Sequence, residues 1–140
     1  LTISGYPNAT ISNNTHFQRG NIMTLHGDPS PGFVYKNNLT VRDSRGYGVK
    51  GDASGEGTVA LAAFTPGAQF VNNVIVGANA SLYPGNNSYP SSLSEVGLVN
   101  PEGGDFRLSP KSRYRAAGGQ SGGQKPAVGC DFDLLPKPSK

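Results

Sequence analysis

Charged residues gather in the first half of the chain, where they could form a catalytic cluster. Arg42, Asp43 and Arg45 lie close together, and Lys50 and Asp52 follow one predicted strand later. In one lateral groove, Lys50 or Arg45 would act as a base that removes the proton next to a uronate carboxylate. Arg42 would neutralise that carboxylate, and Asp43 or Asp52 would be an acidic ligand. The simpler interpretation, which we favour, is that these are charged turn residues between strands.

Aromatic and imidazole groups supply the candidate ligand-binding residues. Tyr83 and Tyr89 flank the loop at residues 84–88, and their rings are the best candidates for exposed faces that stack on sugars. Packing of these rings between the loop and the core is an equal alternative. His16 alternates with its neighbours on a predicted strand, so it would project to solvent and contact a glycan or act as a base.

The elements that position these groups are marked by a repeat. An apolar residue is followed by any residue, two asparagines and a β-branched or apolar strand. The pairs begin at positions 13, 37 and 72, so the intervals between them are 24 and 35 residues. The longer interval contains an insertion at residues 51–68, and subtracting about 11 residues from it restores the shorter period. The paired residues are Asn13 and Asn14, Asn37 and Asn38, and Asn72 and Asn73.

This repeat predicts stacked units. Repeats of this length form units that bury their apolar faces only by stacking on one another. Asparagine tolerates the left-handed backbone conformation, which suits a sharp corner between strands, and stacked amides can form a hydrogen-bonded ladder. Asparagine pairs in hairpin turns of an antiparallel sandwich are the alternative, but hairpin turns prefer Asn-Gly.

The predicted fold is all-β, a short right-handed parallel β-helix (solenoid) with an irregular C-terminal capping segment. Residues 1–100 would form the coils, with an insertion loop at residues 51–68, and residues 101–140 the last strand and cap of the same domain. Helix signals are poor because the chain has 20 Gly and 11 Pro. The best amphipathic stretch is short, at residues 58–64.

These features resemble the right-handed parallel β-helix proteins of the pectate-lyase-like superfamily. The asparagine pairs resemble its asparagine corner, and residues 104–112 its terminal strand followed by Ser-Pro. Residues 128–131 resemble its closing segment, with Cys130 at the place of a small, buried alanine. Asp131 and Asp133 would then cap the end. Residues 118–124 are rich in Gly and Gln where relatives often carry aspartates.

Charge and hydropathy limit the partners. The formal charge is +3 and the isoelectric point about 9.1, but the basic residues concentrate near the end of the chain, so we expect no nucleic-acid partner. No apolar run is long enough for a membrane span. No cofactor or metal site is expected, and Ca²⁺ enters only as a possible ligand if the chain is lyase-like.

The sequence therefore predicts a secreted chain, with its export signal outside this sequence, that binds a polysaccharide or cell-surface glycan without a complete active site. One alternative is the C-terminal part of a polysaccharide lyase or hydrolase whose catalytic coils lie upstream. Another is a structural, self-assembling module that associates through the exposed edges of its N-terminal coil.

Overall fold

The computed structural model describes residues 1–52, 54–116 and 128–130. Its strands are short, because glycine, proline or asparagine interrupts the chain every few residues. In chain order they are β1 (Thr2–Ile3), β2 (Thr10–Ser12), β3 (Thr15–His16), β4 (Met23–Leu25), β5 (Val34–Lys36), β6 (Leu39–Val41), β7 (Val49–Gly51), β8 (Gly55–Glu56), β9 (Gln69–Val71), β10 (Val74–Val76), β11 (Leu98–Asn100) and β12 (Asp105–Leu108).

Nine of these strands form three small parallel arrays. Strands β1, β4 and β7 pair in one sheet, β2, β5 and β9 in a second, and β3, β6 and β10 in a third. Equivalent residues of successive segments are in register, so that Ile11 pairs with Tyr35 and Tyr35 with Phe70. Leu39 likewise pairs with Val74.

All three sheets contribute to the main core. Met23 and Leu25 come from the first sheet, Tyr35 and Phe70 from the second, and Ile75 from the third; all five are buried. Their neighbours along each strand point away from this core, as the period of two in a strand requires. The short strands are thus held together by burial of shared apolar side chains.

A second core covers the outer face of the third sheet. Leu39, Val74 and Val76 on that face contact Leu108 and Tyr114 from the end of the described chain. The antiparallel strands β11 and β12 supply part of this cover. The hairpin of β11 and β12 crosses the point between residues 100 and 101 at which the coils were predicted to end and the cap to begin.

The insertion contains a helix instead of a loop. Helix α1 (Thr58–Phe64) has Ala60 and Leu61 buried and its other side exposed. Alanine and leucine are strong helix formers, and the buried pair anchors the short helix to the core. The sequence prediction identified this stretch as the best amphipathic one but wrongly left it without a helix.

The predicted fold class is wrong. The described residues form several small sheets with mixed strand orders, some parallel and some antiparallel, and no closed or solenoid sheet is present among them. Strands β7 and β8 are antiparallel, as are β11 and β12. Beside α1 there are 3₁₀ helices at Ala80–Leu82, Leu93–Val96, Pro101–Gly103 and Arg113–Ala116. Turn residues and helix formers in the second half of the chain replace the strands that a regular repeat would need.

The expected capping features are placed only in part. Cys130 is half-buried, not a buried core residue, and its backbone N–H donates to Thr15 Oγ1 at 3.0 Å. The predicted capping residues Asp131 and Asp133 lie outside the described residues, as does the Gly- and Gln-rich stretch at 118–124.

Candidate functional site

The asparagine pairs divide into two structural roles. The first residue of each of the three predicted pairs has positive φ, 58° at Asn13 and 57° at both Asn37 and Asn72. This is the left-handed region, which asparagine tolerates better than most residues. The chain therefore turns sharply at each pair before the strand of the third sheet begins.

The second residues form a continuous row of side-chain hydrogen bonds. Asn14 Nδ2 donates to Asn38 Oδ1 at 3.1 Å, and Asn38 Nδ2 donates to Asn73 Oδ1 at 3.2 Å. The row continues to Asn87, whose Oδ1 accepts from Asn73 Nδ2 at 2.9 Å. Asn38 and Asn73 are buried, so their amides stabilise the corner and are not accessible to a ligand.

Asn87 is a member of this row that the sequence analysis missed. It follows Asn86, so a fourth asparagine pair was present as a signal. The residue after the pair is Ser88, which forms only an isolated parallel bridge with Val74. The absence of an apolar strand after the fourth pair explains why the pattern did not identify it.

The predicted catalytic cluster is divided among several internal contacts. The Arg42 guanidinium donates to both carboxylate oxygens of Glu56, at 2.8 and 3.0 Å. Glu56 Oε1 also accepts from the Gly48 backbone N–H at 3.0 Å and from the Tyr83 hydroxyl at 2.8 Å. Arg42 is therefore an ion-pair partner of Glu56, which makes the predicted role of neutralising a substrate carboxylate unsuitable for it.

The protonation of this cluster follows from these bonds. The Arg42 guanidinium, more than any other group, lowers the pKa of the Glu56 carboxyl to about 2, and Glu56 in turn raises the pKa of Arg42. Burial raises the pKa of Tyr83. Near neutral pH this cluster holds one carboxylate, one guanidinium and a neutral phenol, so none of these groups is poised to transfer a proton.

The two acidic candidates do not form a metal site. Asp43 accepts from the backbone N–H groups of Arg45, at 2.9 Å, and Gly20, at 3.1 Å, and these bonds lower its pKa to about 2. The Asp43 carboxylate therefore stabilises the turn that leads to Arg45. Asp52 is exposed at the end of β7. Among the described residues, no group of three or more His, Cys, Asp and Glu side chains could hold a metal ion.

His16 is not the solvent-facing group that the sequence predicted. It pairs in register with buried Thr40, and its Nε2 lies 2.7 Å from the Tyr35 hydroxyl in a hydrogen bond. Its Nδ1 is 2.9 Å from Gln18 Oε1. Burial lowers the pKa of His16, so the ring is neutral at pH 7.

The two candidate tyrosines belong to a column of aromatic rings in the core. Tyr35 and Phe70 stack with 5.1 Å between ring centroids, Phe70 and Tyr83 follow at 6.2 Å, and Tyr83 and Tyr89 at 5.7 Å. Tyr83 is only 5% exposed, so for this ring the alternative of packing against the core is confirmed and that of an exposed face is wrong. The Tyr89 ring is half-buried, and its hydroxyl donates to the Pro84 carbonyl at 2.6 Å.

An exposed aromatic ring lies instead beside Lys50. The Tyr47 side chain is 51% exposed, and Lys50 Nζ is 4.6 Å from the centroid of its ring. Thr24 lies next to Lys50 in the parallel sheet and also points outward. Asn21 contacts both elements, since its Oδ1 accepts from the Tyr47 backbone N–H at 2.8 Å and its Nδ2 donates to Thr24 Oγ1 at 3.2 Å. We call Asn21, Thr24, Tyr47 and Lys50 the Tyr47 surface.

A shallow concavity of about 420 Å³ lies near the end of the described chain. It is lined by Glu95, Arg113 and Tyr114, among others. These polar groups already have partners: Glu95 accepts from the Ser91 hydroxyl, and the Arg113 guanidinium donates to the Tyr114 hydroxyl at 2.6 Å. The concavity is thus less suited to a polar ligand than the Tyr47 surface.

Searches of protein-family models, curated proteins and solved structures found no match. The resemblance to the pectate-lyase-like superfamily consequently stays a prediction. In the part of the chain that the structure describes, no helix has the length and apolar character needed to cross a bilayer.

Proposed function

We propose that this chain is a secreted, non-catalytic domain that binds an acidic polysaccharide on the Tyr47 surface. The observation that carries the proposal is the combination of a half-exposed aromatic ring with a lysine ammonium 4.6 Å from its centroid. Sugar rings present C–H groups that pack on an aromatic face, and a neighbouring cation attracts the carboxylate of a uronate. The two groups together favour acidic over neutral sugars.

The polar neighbours support binding because they are already ordered. The Asn21 side chain bridges the Tyr47 backbone and the Thr24 hydroxyl, so both elements are held in place before any ligand arrives. A preorganised surface loses less conformational entropy on binding than a mobile one. Thr24 and Lys50 extend this surface along the outward face of neighbouring strands, which suits a linear polymer.

The carboxylates favour binding without catalysis. Glycoside hydrolysis needs a carboxyl group that stays protonated near neutral pH, with its pKa raised. Where the carboxylates of the described residues have a shifted pKa, it is lowered, as in Asp43, Glu56, Glu95 and Asp105. In the predicted lyase arrangement Arg42 would neutralise a substrate carboxylate, but it is already paired with the Glu56 carboxylate.

Binding to polygalacturonate and alginate, with neutral dextran as the reference polymer, tests the proposal. We expect measurable affinity for the acidic polymers, reduced by added salt because the half-buried Lys50 supplies the attraction through a charge that dissolved ions can screen. Tyr47→Ala should weaken binding about three- to ten-fold through loss of the ring face. Lys50→Gln should weaken it at low salt and reduce the dependence on salt.

Tyr6→Ala is the matched control, because Tyr6 is 68% exposed and lies outside the Tyr47 surface. Equal loss of affinity in Tyr6→Ala and Tyr47→Ala would contradict the assignment of the surface. Absence of binding to either acidic polymer would reject the function itself. A rise in ultraviolet absorbance from unsaturated uronate products would refute the claim that the domain is non-catalytic.

A further inference from the structure

Two exposed arginines lie beside the Tyr47 surface on neighbouring turns. Gly20 and Gly46 approach so closely that a Cβ added to Gly46 would lie 2.4 Å from the Gly20 carbonyl carbon. The strands that follow these two turns, β4 and β7, pair in parallel. Arg19 and Arg45, which directly precede the two glycines, therefore occupy equivalent positions on adjacent layers, and both are exposed. We call these two residues the arginine pair.

Hydrogen bonds hold the two turns against each other. The Asp43 carboxylate accepts the Gly20 N–H at 3.1 Å and the Arg45 N–H at 2.9 Å. Asn21 Oδ1 accepts the Tyr47 N–H at 2.8 Å. The backbone that carries the arginine pair is therefore ordered relative to Tyr47, and a preorganised surface of this kind loses little conformational entropy when it binds a ligand.

Positive charge is concentrated where these turns meet. Arg45 Nη2 lies 3.4 Å from Asp43 Oδ2, and the Arg45 side chain stays 66% exposed. Asp43 thus offsets only part of the charge that Arg19, Arg45 and Lys50 carry. Like charges opposite each other on adjacent strands are destabilising. An anion bound at the arginine pair would relieve this repulsion.

The chemistry of arginine suits a carboxylate ligand. The planar guanidinium presents its N–H donors as a fork, which matches the two oxygens of a carboxylate. Arg45 is two residues from Tyr47, so their Cα atoms are at most about 7 Å apart. A sugar stacked on the Tyr47 ring would consequently bring the next sugar of the chain within reach of the arginine pair.

We infer that the arginine pair is a second anion subsite, which binds the carboxylate of the sugar next to the one stacked on Tyr47. Lys50 would attract the carboxylate of the stacked sugar itself. The inference rests on the proposed function and narrows its ligand. A polymer in which consecutive sugars are uronates satisfies both subsites, whereas a uronate isolated among neutral or esterified sugars satisfies only one.

Polygalacturonate and highly methyl-esterified pectin are the matched probes, because they share a backbone and differ in how many consecutive carboxylates are free. With concentrations expressed per free carboxylate, the wild-type chain should bind polygalacturonate about ten-fold more tightly. The double variant Arg19→Gln/Arg45→Gln should lose this preference. It should bind polygalacturonate about ten-fold more weakly than the wild type and esterified pectin almost equally well.

The double variant Lys36→Gln/Lys111→Gln is the matched control. It removes the same charge from two residues that belong neither to the arginine pair nor to the Tyr47 surface. It should keep the preference for polygalacturonate, and thermal unfolding checks that both double variants are folded. An equal loss of affinity in the two double variants would overturn the inference, because net charge alone would then explain the binding.

Nuclear magnetic resonance of the arginine Nε–H groups gives a readout that does not depend on an affinity. Trigalacturonate should shift the signals of Arg19 and Arg45 together, whereas monomeric galacturonate should shift neither to the same extent. Assignment of the two signals follows from the single variants Arg19→Gln and Arg45→Gln. Shifts confined to other arginines would overturn the inference.

Tyr47→Ala separates this inference from the proposed function. It should weaken binding of both polymers by a similar factor, because the ring contacts a sugar in either. If Tyr47→Ala weakens binding but the arginine variant keeps the wild-type preference, the second subsite is overturned and the proposed function stands. If the wild-type chain binds neither polymer, the proposed function fails and the subsite fails with it.

Discussion

Replacement of Asn38 by alanine tests whether the asparagine row stabilises the fold. The side chain makes four hydrogen bonds: Nδ2 donates to Ile11 O and Asn73 Oδ1, and Oδ1 accepts the backbone N–H and the Nδ2 of Asn14. Asn38 is fully buried, so water cannot replace these partners. At about 1 kcal/mol net for each bond, Asn38→Ala should lower the free energy of unfolding by about 4 kcal/mol.

Asn14→Ala is the internal reference for this measurement. Its Nδ2 makes two hydrogen bonds at an exposed position, and the backbone bond from Asn14 to Asn38 Oδ1 survives the change. We expect a loss of about 1 kcal/mol. Urea denaturation followed by circular dichroism gives both values. If the two substitutions lower the free energy of unfolding by amounts that agree within about 1 kcal/mol, the idea is refuted that a buried asparagine in the middle of the row stabilises the fold more than exposed Asn14 at its end.

Three further predictions concern an ion pair, a close backbone approach and the helix. The pKa of the Glu56 carboxyl is lowered to about 2, so its ion pair should add about 1–2 kcal/mol to the free energy of unfolding above pH 4.5. This contribution should disappear as the pH falls toward 2. Glu56→Gln should therefore flatten this part of the pH profile in thermal unfolding. Gly46→Ala should cost about 2–3 kcal/mol by denaturant titration, because the added Cβ would lie 2.4 Å from a backbone carbon, whereas Gly85→Ala meets open space and should change little. Leu61→Ala should cost about 2–4 kcal/mol in the same assay, because Leu61 is only 5% exposed. Val59→Ala should cost less than about 0.5 kcal/mol, because Val59 is 55% exposed. Equal losses in free energy of unfolding would show that α1 does not pack on the core through Leu61.

The sequence contained enough information to locate the corners of the parallel strands. Only a few residue types tolerate positive φ, so the first residue of each pair was a strong local signal, and Asn13, Asn37 and Asn72 all adopt that conformation. The amide row involves contacts between residues 24 and 35 positions apart, and it could be anticipated because identical side chains recur at equivalent positions.

The candidate site was less predictable, because its contacts are made between dissimilar residues. Arg42 is paired with Glu56, 14 residues away, through the antiparallel turn from β7 to β8. No repeat or motif connects these two positions in the sequence. The place of Tyr83 beside a polar loop was compatible with an exposed ring and equally with a packed one, and its ring continues the stack begun by Tyr35 and Phe70.

The overall fold class could not be obtained by extending the repeat. A period shared by three segments predicts coils over residues 1–100 apart from the insertion at residues 51–68, but local preferences differ after the second pair. Ala60 and Leu61 lie in a short run of helix formers, and the chain reverses between Gly51 and Gly55 so that β8 pairs antiparallel with β7. Local propensity decided these segments because their strands are too short to impose a regular sheet.

The insertion between β7 and β9 shows how this chain accommodates length variation. Tyr35 pairs with Phe70 across 35 residues in the same register in which Ile11 pairs with Tyr35 across 24. The additional residues leave through the β7–β8 turn and return after α1, so they do not shift the strands on either side. Insertions and deletions at this one corner are consequently compatible with an unchanged core, and related chains of different length would be expected to vary here first.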